Sequence, residues 1–194
     1  TYQEGVTKGS VTLFNSCGRS DGAAAIIVAT ERKARELKLE ILGELKGWGF
    51  YGNNPAHMGV SPALATPVAL KNAGIGFEAL DHIELHEPFA ATVLSIFKLG
   101  KERFGHNWQA KFAEGSLNPH GGSIALGHPL GATGARLMLN LLYAMKQNPK
   151  ARHGIARLKS DRLFKAIDGR LGIAAPFLSR PQLQKRVFEL GKML

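Results

Sequence analysis

One stretch, NPHGGSIALGHPLGATGAR at 118–136, limits the folds open to this chain more than any other. Five glycines and two histidines surround a short apolar run there, at a point where a strand gives way to a helix. The segment that continues it, GATGARLMLNLLYAMK, sets Leu137, Met138, Leu141, Leu142 and Met145 on one stripe at helical spacing, so a buried helix face is expected. So many residues without side chains serve one of two ends. They make a tight structural turn, or they clear space so that backbone and imidazole approach a ligand together.

The remainder alternates strand and helix signals. VTLF (11–14) is β-like, and a loop of small and polar residues runs from Asn15 to Gly22. Ser20 and Asp21 are placed to cap GAAAIIVATERKARELK, whose alanine-rich start suits a buried helix and whose Glu31 to Arg35 spacing suits an exposed end. ILGELKGWGF (41–50) is extended and glycine-rich, and SPALATPVALKNAG (61–74) is a short helix with Pro62 in its first turn and Gly74 past its end. In HIELHEPF (82–89), Ile83 and Leu85 alternate with His82, Glu84 and His86, which gives a strand with one apolar and one polar face. Pro88 then turns the chain out of the strand into the helical AATVLSIFKL. Elements in this order predict a layered α/β domain with a mostly parallel sheet.

Composition narrows the function classes. With 194 residues, 44% hydrophobic and 21% charged, the chain is long enough to bury an ordinary core. No run of about 18 apolar residues is present, so a membrane span is not expected. The start at Thr1, without a leader pattern, is that of a processed chain or a fragment. The net charge of +10 suggests nucleic acid until its distribution is read: residues 150–194 hold 11 of the 25 Lys/Arg and three acids, and the first 149 residues are nearly balanced. Such a tail is a solvated face or a polyanion or partner contact, and no basic patch interleaved with aromatics supports nucleic-acid readout. The single cysteine, Cys17, excludes a disulfide framework and a cysteine-built zinc site, so no metal is expected and a reducing compartment, the cytoplasm, is the default.

Ligands of α/β folds gather where strands end and helices begin. His86-Glu87 and His128 both occupy such junctions. Each histidine can be a hydrogen-bonded structural residue; at a strand's carboxyl end it can equally donate to a developing oxyanion or act as a base near neutral pH. The glycine-rich stretch is no P-loop, because Gly134 precedes Ala135-Arg136, and it lacks the glycine spacing of a dinucleotide site. Its glycines instead let backbone amides lie close to an acyl or thioester group, with the positive end of the next helix facing the same place.

These residues resemble a known family. NPHGGSIALGHPLGATGAR is similar to the signature of thiolases, which make or cleave 3-ketoacyl-CoA; HEPFAATVL (86–94) resembles their His-Glu-Ala-Phe segment, the form typical of the branch acting on longer fatty acyl chains. VTLFNSCGRSDGAAA (11–25) resembles the start of the thiolase carboxyl-terminal half, and the similarity spans roughly residues 5–157. The resemblance implies half of a layered αβαβα fold, with a mixed five-stranded sheet flanked by helices over residues 1–177; residues 178–194 run past the usual family end, and Pro181 followed by the stripe Leu183, Val187 and Leu190 predicts a basic, helical extension there. It implies that His128 deprotonates a nucleophilic cysteine and helps bind the thioester oxygen, and that His86 completes an oxyanion hole with a water. Gly127 and Pro129 fix the turn, Phe89 lines the pocket, and Cys17 and Gly131 join them on the CoA-binding surface. Coenzyme A enters as the substrate thioester, with no separate cofactor. Acyl-CoA or CoA, a thiolase amino-terminal half and a second copy are the partners implied, and an isolated chain of this type should expose an apolar face.

Two departures qualify this. Thiolase chemistry uses two cysteines, one to accept the acyl group and one to exchange the proton at the substrate α-carbon. The first belongs to the amino-terminal half; the second belongs to a Cys-x-Gly-x-Gly hairpin after HGIARL (153–158), where this chain reads KSDRLFKAIDGRLGIAAPF. That segment has the marks of a helical turn, with Ser160 and Asp161 as caps, Leu163, Phe164 and Ile167 on one face and Gly169 at its end, before LGIAAPF resembles the closing strand. Pro88, where the family prefers alanine, is a smaller departure. Three readings follow: the carboxyl-terminal part of a 3-ketoacyl-CoA thiolase; a thiolase-like protein without catalysis that binds CoA or acts as a scaffold; or an α/β domain whose motifs survive as packing. A shifted reading frame after about Leu158 is a further source of the tail.

Overall fold

The glycine-rich turn and the helix that follows it, around 118–147, organise the domain; among the described residues no strand leads into this turn, only the isolated bridge of Leu117 to Ile83. The computed structural model describes residues 9–157, 166–168 and 173–174. Strands β1 (Ile27–Val28), β2 (Glu44–Gly47), β3 (His82–Leu85), β4 (His153–Arg157), β5 (Ala166–Asp168) and β6 (Ile173–Ala174) alternate with helices α1 (Glu31–Glu36), α2 (Ser61–Ala73), α3 (Ala90–Phe104), α4 (Trp108–Ala113), α5 (Ser123–Leu126) and α6 (Thr133–Gln147). The main sheet has the order β2-β5-β4-β3, with β3 and β4 parallel and the other two pairs antiparallel. The parallel pair needs a crossover, and α3 to α6 supply it.

Period-two alternation sorts the side chains of β3 and β4 between two layers. Ile83, Leu85 and Ile155 join Ala63, Leu70, Ile96 and Trp108 in a core beneath α2, α3 and α4. On the opposite face Ala156 packs with Leu137, Met138, Leu141 and Leu142 of α6, the stripe expected from its spacing. Burying each of those leucines stabilises the fold by about 1.5–3 kcal/mol, so α6 is fixed on the sheet by its apolar face. Gly154 allows the close approach: a Cβ there would sit 2.7 Å from Leu141 Cδ1 and 2.8 Å from Met145 Sδ. Helix α2 begins with Pro62 in its first turn and ends at Gly74 in the left-handed region (φ 70°), as the sequence predicts.

The chain is therefore α/β with a mixed sheet flanked by helices. Among the described residues four strands form the main sheet, and β1 pairs antiparallel with β6 in a separate ladder. Three local expectations are corrected. VTLF is not a strand: Leu13–Asn15 forms a 3₁₀ turn, because Asn15 accepts from the Thr12 amide and donates to Ser10 O, both at 2.8 Å, and so holds the backbone in a local loop. The alanine-rich segment after Asp21 is not a buried helix. Its Ile27–Val28 pair runs as β1, as their β-branching favours, and the helix starts only at Glu31, capped by Thr30 and not by Ser20 or Asp21. The helical turn over 160–169 is also replaced where it can be seen, since Ala166–Asp168 runs as β5 between β4 and β2. There the ladders to β4 on one side and β2 on the other pair its backbone groups. The rest of that turn and the extension at 178–194 lie outside the described residues.

Candidate active site

Three segments far apart in sequence meet where β3 ends. The amide of His86 donates to Arg157 O at 2.8 Å, extending the parallel ladder by one residue before Pro88 stops it. The Cys17 loop then lies alongside: Cys17 N donates to Pro88 O at 2.9 Å, Ser16 bridges Phe89, and His128 N donates to Gly18 O at 3.0 Å. This loop ties the end of β3 to the glycine-rich turn.

The turn itself is held by contacts that only glycine permits. Gly127 has φ 86°, and a Cβ there would overlap Ser20 Oγ. Asn118, also left-handed at φ 48°, turns its amide on the strand end: Oδ1 accepts from Leu85 N at 2.7 Å and Nδ2 donates to Leu85 O at 2.9 Å and to the Glu87 carboxylate. Glu87 in turn rests against Gly122, where any Cβ would overlap the carboxyl group.

Within this frame the two histidines face each other, their ring centroids 4.2 Å apart and the planes inclined at 46°. His86 is 2% exposed, with Nδ1 2.9 Å from the hydroxyl of Ser123, the first residue of α5. His128 is half-buried, with Nδ1 2.7 Å from the hydroxyl of Thr133, the first residue of α6. Thr133 Oγ1 also lies 3.0 Å from Pro129 O. Both contacts form together only if Thr133 donates to the carbonyl and accepts from His128, which puts the proton on Nδ1 and the lone pair on Nε2. An imidazole so held can take a proton from an acid close to its own pKa.

Beneath the histidines lies a buried carboxylate that alternation alone presented as part of a polar face. Glu84 is fully buried under α6, accepting from Asn140 Nδ2 at 3.5 Å. Burial pushes its carboxyl up to about 7; the Asn140 bond and the Arg136 charge pull down, and the Glu87 charge pushes further up. Arg136 Nη2 donates to Ser123 Oγ at 2.9 Å and to Gly127 O at 3.5 Å.

Of the residues singled out from sequence, His86, His128, Cys17, Phe89, Gly127 and Pro129 converge on this junction. Gly131 is exposed, with open space around any Cβ, and His120 is exposed as well.

The model of the family described as thiolase, C-terminal domain, matches residues 39–160. The chain belongs to that family. It is 40% identical over 167 residues to the rat protein "3-ketoacyl-CoA thiolase B, peroxisomal", covering 81% of this chain and 37% of that one. To the acetyl-CoA acetyltransferase of Chromobacterium violaceum it is 38% identical over 166 residues, 86% of this chain and 38% of the relative. The solved acetyl-CoA acetyltransferase of Bacillus anthracis superposes with a TM-score of 0.69 at 32% identity, over 86% of this chain and 39% of that structure. The chain thus spans little more than a third of the length of these relatives.

In this thiolase domain Asn118, Ser123, Arg136 and Glu84 are the site residues that sequence reasoning missed. Asn118 and Arg136 bracket the signature stretch, and Glu84 sits on the same strand face as His86 two residues earlier. Alternation gives the face of Glu84 but not its burial, so that residue, like the others, needed the fold. The tightest test of the frame is Gly122→Ala, expected to lower stability by about 1–3 kcal/mol through forced displacement of Glu87. Gly131→Ala is the control, expected within about 0.5 kcal/mol of the parent in the same urea titration.

Proposed function

We propose that this chain supplies the histidine half of a thiolase-type acyltransferase, which moves an acyl group between a 3-ketoacyl-CoA thioester and coenzyme A. The observation that carries the reading is the pair of imidazoles 4.2 Å apart at the junction of β3, the glycine turn and α6. In the forward step His128 Nε2 takes the proton of a cysteine thiol, and the thiolate attacks the 3-keto carbonyl. The Cα–Cβ bond then breaks, the acyl group stays on the cysteine as a thioester, and the acetyl-CoA carbanion takes a proton from water. A CoA thiol attacks the acyl-enzyme to release acyl-CoA and the cysteine. His86 donates towards the oxygen on which charge develops. Phe89, Gly127, Pro129 and Gly131 shape the acyl and CoA surface, with Cys17 beside the pantetheine arm. The nucleophile comes from an amino-terminal half, for which the relatives' greater length leaves room. Exposed Leu13 (85%), Phe14 (94%) and Leu130 (84%), close in sequence to Cys17 and His128, support the docking of that half or of a second copy. Coenzyme A is substrate here, and no resident cofactor is required. Among the described residues no helix is long and apolar enough to cross a membrane. The lone Cys17 favours a reducing compartment such as the cytoplasm.

One observation favours a second reading, a catalytically inactive domain that binds CoA or serves as a scaffold: no cysteine follows Arg157. A single experiment separates them. The chain is mixed with an amino-terminal half carrying the nucleophilic cysteine, and thiolysis of acetoacetyl-CoA is followed. Turnover supports the acyltransferase; acetoacetyl-CoA binding without turnover supports the second reading, and absence of both overturns each.

A further inference from the structure

Two hydroxyls contact the two histidines, and they differ in where their own protons go. Thr133 has a carbonyl acceptor of its own, Pro129 O at 3.0 Å, and so is free to accept from His128 Nδ1. Ser123 has the reverse arrangement. It is fully buried, and its oxygen accepts from Arg136 Nη2 at 2.9 Å. A guanidinium has only donors. Among the described residues the one acceptor within reach of the Ser123 hydroxyl proton is therefore His86 Nδ1 at 2.9 Å.

We infer that Ser123 and Arg136 are a positioning pair that fixes His86 as the Nε2–H tautomer, opposite to His128, so that His86 meets a ligand as a hydrogen-bond donor and His128 as a base. If His86 carried its proton on Nδ1, Ser123 Oγ would accept from two donors and its own proton would be left in a buried site with no acceptor, an arrangement that folded proteins avoid. Arg136 thus acts on His86 through Ser123. Its guanidinium is itself held by Gly127 O, so the same side chain that orients the relay also braces the turn carrying His128. The division of labour between donor and base rests on the acyltransferase reading; the tautomers themselves do not.

The test is made on the full chain, with no substrate or second half present. Long-range nitrogen–proton correlation spectra of ¹⁵N-histidine-labelled protein, recorded above the histidine titration range, report which ring nitrogen carries the proton. His86 is expected as Nε2–H in roughly tenfold or greater excess, the ratio that one buried hydrogen bond sustains. His128 in the same spectrum is expected as Nδ1–H. In Ser123→Ala the Nδ1 resonance of His86 should move towards that of an unbonded imine nitrogen, and the Nδ1–H share should rise, with His128 unchanged. Finding His86 as Nδ1–H in the parent chain overturns the inference, whatever the variant does. So does an Nδ1 resonance that stays put in Ser123→Ala. Failure of thiolysis on reconstitution bears only on the acyltransferase reading and leaves the tautomer result standing.

Discussion

Substituting His128 by alanine in the reconstituted enzyme is expected to lower thiolysis of acetoacetyl-CoA by about 10²–10⁴-fold, the share contributed by a positioned general base. The loss should be chemical and not structural. Thr133 keeps its own bond to Pro129 O when the imidazole is removed, so the start of α6 remains tied down. His128 is also only half-buried, so truncation leaves a solvent-filled gap in place of a sealed cavity. The thermal midpoint of the variant should therefore stay close to that of the parent while the rate collapses. The comparison variant is His86→Asn, which keeps a donor but withdraws the ring. Its loss should be bounded by that of one oxyanion donor, about 10²–10³-fold. If His128→Ala retains a rate within a few-fold of the parent, the base lies elsewhere. A parallel fall in rate and midpoint would mean that His128 is a packing residue. Stopped-flow thiolysis and a melting curve on the same preparation decide among these outcomes.

How much of this was legible in the sequence depends on the range over which each residue is held. Helices α2, α3 and α6 were readable because their signals are local: a first-turn proline, a terminal glycine, a stripe at the right spacing. Strand β3 and the histidine at its end were readable for the same reason. The failures share a different cause. Ile27–Val28 and Ala166–Asp168 owe their strand state to partners that lie many residues away, and neither run carries enough pattern to announce it. Leu13 and Phe14 read as a strand because exposed apolar residues and buried ones are the same letters. In the site, His86 and His128 could be named from their motifs. Their protonation could not, because it is set by Ser123, Thr133 and Arg136 through bonds that span from 5 to 37 positions. Glu84 belongs to the same class. Alternation placed it on a polar face, and only the docking of α6 reveals that this face is closed to water.

That closure has a measurable consequence for stability against pH. Glu84 carries a folded pKa of about 7 against an ordinary 4.5, with burial as the main cause. Below pH 4.5 the carboxyl is protonated in both the folded and the unfolded chain, and it imposes no penalty. Between the two values the unfolded chain gives up its proton first, so each rise in pH favours unfolding; above about 7 both states are ionised and the penalty is constant. Over that window the fold is expected to lose up to about 3 kcal/mol through this one residue. His82 and His106, whose pKa values burial lowers, act in the opposite sense, because the unfolded chain holds their protons to higher pH. The total slope therefore mixes contributions, and the informative quantity is the difference between the parent and Glu84→Gln. The amide occupies the volume of the protonated acid and keeps an oxygen for Asn140, so the two proteins should unfold at similar urea concentrations at pH 4.5. At pH 8 the glutamine variant should be the more stable by roughly 2–3 kcal/mol, a large fraction of a typical domain's stability. Equal midpoints at both pH values would mean that water or a shifted Arg136 reaches the carboxylate and that the face beneath the histidines is open.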